Sequence, residues 1–509
     1  MQSLLRSARA RIIAAAGVIA LIALNALPAS SGPVAPAADS AVADYVAAQI
    51  ADAGYPGASI AIVRDGRLSL VRGVGAADGS GRPMTPDIPF VIGSLSKSLT
   101  ALAVLRLADA GAVELDAPVA RYLPGFRTAS ADPTPITVRD ALTQTSGLPG
   151  SAIDLSSPVS TITDQIVTLA TVEPVSAPGA RYAYSNANYV VLGAVIEAVT
   201  GQDYPTAMQT LVFDPLGMKH TTADPDAARG LGLGDAHRLW FGLAIPRTPL
   251  FRSDLAPAGF IASTASDMAR PIEMLLAGGT FGAERILSPA GVAALTTGAV
   301  STGFGDARYA MGWIDSTHEG LRTIAHDGST TDMAAVQVIA PASRDAVVVL
   351  ANAQSIPYEV LGKIDMIGQG TLAQMLGRQA DGTLERFYPI VDAVLLVILI
   401  LMVRGHVRLA RRVRDRERSA ALGRIRRVGA MAFHGYLDLV VPLLLLVRVP
   451  TFLAAPWPVV IRTDIGLVVA ILIVVRLSGG GLRLAGWWRT RGLPYPVGAS
   501  AVSSALIAG

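Results

Sequence analysis

Ile92-Gly93-Ser94-Leu95-Ser96-Lys97-Ser98-Leu99-Thr100-Ala101 is the stretch on which the reading of this 509-residue chain turns. The apolar approach Pro89-Phe90-Val91-Ile92 has strand character, breaks at Gly93 and runs into a helix. The apolar positions Leu95, Leu99, Leu102 and Leu105 recur at helical spacing until Gly111. Residues three apart share a helical face, so the Lys97 ammonium reaches the Ser94 hydroxyl. Ser94 sits at the helix N-terminus, where free N–H groups favour developing negative charge. The pair is a nucleophile and a candidate activator; the plainer alternative is an exposed helix lysine beside a serine.

Composition favours the first reading. Of 42 basic residues only Lys97, Lys219 and Lys363 are lysines, so the chain meets its general need for positive charge with arginine. Arginine does not lose its proton in a protein, whereas a lysine in a suitable environment does. No other Ser-x-x-Lys occurs. Lys219 lies outside any such pattern and is assigned no catalytic role.

Upstream, Ser40 is placed to cap a helix carrying Val42, Tyr45, Val46 and Ile50, ended by Gly54 and Pro56. Two strands, 58–63 and 68–71, flank Asp65-Gly66, a tight-turn dipeptide. Downstream come helices at 138–142, 188–200 (closed by Gly201) and 267–276. Strands return at 334–339 and 346–350 around Pro341-Ala342-Ser343-Arg344. Strands at both ends with helices between predict an α+β domain whose antiparallel sheet is assembled from the two ends, with a helical subdomain inserted.

The termini have a different character. Residues 1–33 carry Arg6, Arg9 and Arg11, then the apolar run 12–27 and Pro28-Ala29-Ser30-Ser31, the order of a secretory signal or an N-terminal anchor. Residues 387–403 and 428–447 are apolar runs whose only formal charges are Asp392 and Asp438, and 456–475 is a third. All three have lengths near that of a membrane span. The loop 404–427 between the first two holds ten arginines, which predicts a cytoplasmic loop. The sequence thus divides into a leader (1–33), an enzyme-like domain (34–386) on the extracytoplasmic side, and a transmembrane helical region (387–509) in the cytoplasmic membrane. Asp438, one turn from His434, is a midplane charge that either packs protonated within the bundle or has a function of its own.

Net charge follows the same division. The overall +3 comprises +3 at the leader, +11 beyond residue 386 and −11 between them. An acidic central domain argues against a nucleic-acid partner. There are no cysteines, and the six histidines show no metal-ligand spacing, so no metal or other cofactor is expected. The expected partners are a small-molecule or peptide substrate and the lipid bilayer.

Two further motifs complete the nucleophile's surroundings. Tyr184-Ser185-Asn186 precedes a helix, where by themselves Ser185 or Asn186 would read as a cap and Tyr184 as a packing aromatic. His326-Asp327-Gly328-Ser329 leads into the late hairpin, and an edge strand beside a buried serine can supply N–H groups to an oxyanion. Ser94-x-x-Lys97, Tyr184-x-Asn186 and His326-x-Gly328, in that order, resemble the β-lactamase-related serine hydrolases: class C β-lactamases, D-alanyl-D-alanine carboxypeptidases, D-aminopeptidases and esterases. Gly111–Pro118, Tyr122-Leu123-Pro124, Thr143–Pro149, Asp214–Met218 and Pro257–Thr264 resemble further landmarks of that family, so the likeness runs over about residues 40–355.

The resemblance implies a β-lactamase/transpeptidase-like fold in which Ser94 attacks a carbonyl while Lys97 and Tyr184 handle its proton. Either Lys97 or a Tyr184 phenolate is then the base. It also implies that Asn186 orients Lys97 and the substrate amide, that the N–H groups of Ser94 and Ser329 form the oxyanion hole, and that His326 and Gly328 belong to the substrate strand. Water resolves the acyl-enzyme.

Two positions depart from the family pattern. Gln144 replaces a common histidine and reads as a packing position. His326 replaces the lysine of penicillin-recognising branches; a mostly neutral imidazole suits a substrate carboxylate less well and points to esterase or peptidase chemistry. The competing class of function is an idle module that binds cell-wall peptide or β-lactam and signals through the membrane helices.

Overall fold

Strands from the two ends of the domain do meet in one sheet. The computed structural model describes residues 36–131, 134–153, 161–240, 242–318, 320–355, 358–359 and 362–378, together with Arg404. The chain runs α1 (Asp39–Asp52), β1 (Gly57–Arg64), β2 (Arg67–Gly75), α2 (Ser96–Asp109), α3 (Val138–Leu142), α4 (Asn186–Thr200) and α5 (Ala265–Leu276). It continues through β3 (Val300–Ser301), β4 (Arg308–Tyr309), β5 (Ile314–His318), β6 (Leu321–Ser329), β7 (Ala334–Ala340), β8 (Asp345–Ala351) and α6 (Lys363–Met375). The eight strands order as β2-β1-β8-β7-β6-β5-β4-β3, each neighbour antiparallel. Ile60 opposite Val349 and Ala61 opposite Val348 fix the register that joins the ends.

Every residue of β7 and β8 is buried, because helices cover both faces of the sheet. Val336 and Val338 face α6, which approaches so closely that a Cβ on Gly368 would come within 2.8 Å of Val336. Gln337, on the opposite face, donates to Ser98 Oγ of α2 at 3.1 Å. The sheet's second face is therefore the platform on which the Ser94–Lys97 helix rests. The antiparallel sheet, the covering helices and the inserted helical part agree with the expected α+β, β-lactamase/transpeptidase-like class.

Local differences have local causes. Ser40 does not cap α1, which begins at Asp39 with Ala38 at the cap position and no side-chain bond there. The Asp39 carboxylate in the first turn is instead taken by Arg64 Nε at 2.9 Å. α4 starts at Asn186, two residues ahead of the expected position, and neither Ser185 nor Asn186 caps it, since both side chains are used elsewhere. Ser94 lies in a short 3-10 turn, Gly93–Leu95, and the α-helix proper begins at Ser96.

The leader 1–33, the spans 387–403, 428–447 and 456–475, the loop 404–427 apart from Arg404, and the pair Asp438 and His434 lie outside the described residues. Among the described residues no helix is long and apolar enough to cross a membrane.

Arg64 fastens both terminal helices to the sheet. Besides Asp39 it donates to the Ala37 carbonyl at 2.8 Å and, through Nη1, to the Met375 carbonyl at 2.8 Å. Hydrogen bonds from a charged donor contribute about 1.5–3 kcal/mol each when removal strands a partner. Arg64→Ala is expected to lower unfolding stability by ~2–3 kcal/mol in denaturant titration. Arg64→Lys should recover less than half of that, since an ammonium cannot present the same fork of donors.

Candidate active site

Ser94 and β6 approach each other at backbone distance, and glycine makes this possible on both sides. Gly93 has φ +56, and a Cβ there would lie 2.4 Å from the Ser329 nitrogen. A Cβ on Gly328 would lie 2.2 Å from the Ile92 carbonyl oxygen. The strand can receive the turn because its pairing is uneven. β5 pairs with β6 only as far as Ala325, whereas β7 pairs with it through Ser329, so residues 326–329 are a local edge within an interior strand. The main-chain nitrogen of Ser329 is thereby set beside the peptide that enters Ser94, the arrangement an oxyanion needs.

Lys97 is fully buried. Its Nζ lies 3.0 Å from Ser94 Oγ, 2.8 Å from Asn186 Oδ1 and 2.5 Å from the Ala258 carbonyl oxygen. Burial lowers its pKa to about 7, against the smaller upward pull of the Asp327 charge. Tyr184 Oη stands 2.8 Å from Ser94 Oγ, and the Lys97 ammonium group is 5.0 Å from the Tyr184 ring centre. Burial raises the Tyr184 phenol well above its usual value, only partly offset by the bond to Ser94. At neutral pH the phenol keeps its proton while the amine is poised to lose one.

Tyr184 is held by its neighbours, and both are held by Gln144. The Gln144 carbonyl accepts the Ala183 N–H at 2.8 Å and its Oε1 accepts the Ser185 N–H at 2.9 Å. Oε1 also accepts from Asn188 Nδ2 at 2.6 Å, which ties the clamp to α4. Gln144 is fully buried with φ +61, a left-handed conformation uncommon for a residue with a Cβ. The packing reading of this position is thus incomplete, because Gln144 acts on the backbone around Tyr184.

His326 closes the far side. Its ring centre is 6.4 Å from that of Tyr184 and 6.1 Å from that of Tyr309. Nδ1 lies 2.6 Å from the Asp327 carbonyl oxygen, while Nε2 is buried without a partner. Burial pushes the imidazole pKa down, Asp327 opposes this, and Lys97 adds to it. Ser94, Lys97, Tyr184, Asn186, His326, Gly328 and Ser329 all converge at one place. Tyr309, Gln144 and the Ala258 carbonyl join them; none of the three carries a sequence signal for this role, although Pro257-Ala258-Gly259 lies within a landmark stretch.

A groove of about 560 Å³ lies elsewhere, between Tyr122–Arg127, Ile166 and Val167, and the Ala194–Ala198 part of α4. It holds none of these residues and is separated from Asn186 by about two turns of helix.

Comparison with known proteins gives a consistent picture. Residues 42–364 match the Beta-lactamase family. Penicillin-binding protein 4 of Amycolatopsis lactamdurans is 29% identical over 313 residues, 58% of this chain and 81% of that protein. Esterase EstB of Burkholderia gladioli is 38% identical over 190 residues, covering 33% of this chain and 48% of that protein, so this match spans less than half of the esterase. The octameric penicillin-binding protein homologue from Pyrococcus abyssi superposes with a TM-score of 0.59 at 26% identity, over 69% of this chain and 79% of that one.

Gln144→Ala keeps the backbone type and removes only the side-chain half of the clamp. It is expected to lower kcat for ester hydrolysis by about 10–100-fold with KM changed by less than threefold, on the principle that small misplacements of reacting groups cost catalysis. Steady-state kinetics alongside circular dichroism would test this; an unchanged kcat in a folded variant would remove Gln144 from the positioning role.

Proposed function

The chain belongs to the Beta-lactamase family, and on that premise we propose that it is a serine acyl hydrolase acting on an ester or amide through an acyl-enzyme on Ser94. The observation that carries the proposal is the coordination of Lys97. A neutral amine has two N–H donors and one lone pair. The Ala258 carbonyl and Asn186 Oδ1 take the two donors, which leaves the lone pair for the Ser94 hydroxyl proton. Lys97 is accordingly the general base, and Tyr184, whose phenol stays protonated, is a donor.

In the first step Ser94 Oγ bonds to the substrate carbonyl carbon as its proton passes to Lys97 Nζ. The oxyanion is met by the N–H groups of Ser94 and Ser329. The proton then leaves Lys97 by way of the Tyr184 hydroxyl to the departing oxygen or nitrogen, and the carbonyl–leaving-group bond breaks. Water attacks the ester carbonyl, gives its proton to Lys97, and the Ser94 ester bond is cleaved with the proton returned to Oγ. The His326 imidazole, whose pKa burial lowers, favours peptidase or esterase substrates, D-amino-acid peptides of the cell wall included, over those anchored by a carboxylate.

We further propose that residues 387–509 tether the domain to the cytoplasmic membrane with the 34–386 domain outside. The arginine-rich 404–427 loop supports this reading. Proteolysis of intact spheroplasts should digest the domain; its full protection would reverse the topology.

A fluorophosphonate should label the wild-type protein and leave Ser94→Ala unlabelled, whereas an unlabelled wild type would favour the idle binding module. Because the base must be unprotonated, kcat/KM for a neutral ester should rise through one ionisation near pH 7, the value to which burial lowers Lys97. Asp327→Asn removes a charge that raises the Lys97 pKa and should move this acid limb to lower pH.

A further inference from the structure

Asp327 occupies the middle of the strand motif, beside the nucleophile's surroundings. Several aspartates of the domain are answered by arginine: Asp39 with Arg64, Asp254 with Arg252, Asp315 with Arg322, Asp332 with Arg238. Among the described residues the only basic side chain within 4.0 Å of Asp327 is His326, whose Nδ1 faces the backbone carbonyl. The Asp327 side chain is half exposed, and its charge is felt by Lys97, Tyr182, Tyr184 and His326, that is, across the nucleophile's surroundings. Glu359, from a helical stretch later in the chain, brings a second carboxyl to the end of that strand, hydrogen-bonded to Ser329. When Lys97 is neutral and able to act as base, no lysine or arginine among the described residues is ion-paired with these carboxyl groups.

The buried His326 Nε2 is a second and independent observation. With Nδ1–H donated to the Asp327 carbonyl, Nε2 presents a lone pair that no group among the described residues satisfies. A buried acceptor left open in this way costs stability unless a ligand donates to it. Carboxylate and lone pair both call for a donor, and a positively charged one serves both.

We propose that this site selects substrates bearing an ammonium group close to the scissile carbonyl, held by the Asp327 carboxylate with Glu359 beside it and by an N–H to His326 Nε2. The inference rests on the acyl-hydrolase reading and names its substrate class. It makes the polarity of recognition the reverse of one built for a substrate carboxylate, and the −11 net charge of residues 34–386 draws the same kind of molecule toward the domain.

Two isosteric pairs test it on the full-length protein at pH 8. Butyrylcholine against 3,3-dimethylbutyl butyrate places the charge in the leaving group without an N–H and so tests the carboxylate contact alone, and β-alanyl against butyryl 4-nitrophenyl ester places a charge with N–H donors in the acyl group and tests both contacts. The charged member should have at least tenfold higher kcat/KM in one pair, and that preference should shrink as salt is raised from 0.02 to 0.5 M. It should also shrink at least fivefold in Asp327→Asn/Glu359→Gln. A neutral member equal or better in both pairs overturns the proposal, as does a preference that neither salt nor the double variant reduces. Fluorophosphonate labelling keeps the two levels apart. A wild type that labels at Ser94 but shows no cation preference overturns this inference alone, whereas one that neither labels nor turns over any of the four esters overturns the acyl-hydrolase reading and this inference with it.

Discussion

A lysine amine with no exposure to solvent must be satisfied by the protein or lose its charge. The displacement of Lys97 from 10.5 to about 7 corresponds to roughly 5 kcal/mol against the charged form. The protein does not relieve that cost with a contacting carboxylate; it supplies two neutral carbonyl-type acceptors and one hydroxyl. Such a shell tolerates either protonation state. An arginine could not use it, which is why one of the three lysines of an arginine-rich chain falls at this position.

That shell draws on three separated stretches, and the rest of the fold brings them together. Ser94 and Lys97 come from the 3-10 turn and the first turn of α2 that follows it, Asn186 from the start of α4 and Ala258 from a helical turn just before α5. The sheet beneath, buried on both faces, fixes the helix through Gln337 and Ser98. It also ends the β5–β6 pairing early enough to leave Ser329 facing the nucleophile. Of the two glycines that let the turn and the strand touch, Gly93 is required by both its positive φ and the close approach, and Gly328 by the close approach alone.

The parts of this arrangement that follow a local rule are legible in the sequence. Helical spacing places Lys97 over Ser94, Asp65-Gly66 marks the first hairpin, and the distribution of strands announces a sheet built from both ends of the domain. What is hidden depends on the backbone. The Ala258 carbonyl is an acceptor that any residue type would offer, so no letter at 258 reveals it. Gln144 stands out only as a departure, since its work requires a left-handed φ that glutamine rarely adopts. Ser40 shows the converse, a good cap residue left unused because the chain enters the helix two residues earlier and Arg64 claims Asp39.

The charge distribution around Ser94 carries two opposed demands. Lowering the Lys97 pKa to the working range needs burial and the absence of neighbouring carboxylates, yet Asp327 is close enough to raise it again. A carboxylate that only hindered the base could be matched by an arginine, as Asp254 and Asp332 are. Left unmatched, Asp327 sets the base higher than burial alone would and leaves the site negative once Lys97 is neutral. The arriving substrate then decides the balance. A cation beside Asp327 cancels part of the field that holds the proton on Lys97, lowering the amine pKa and favouring the form that can take the Ser94 proton. On the proposed mechanism, binding of the right charge and readiness of the base are in this way coupled through one carboxylate.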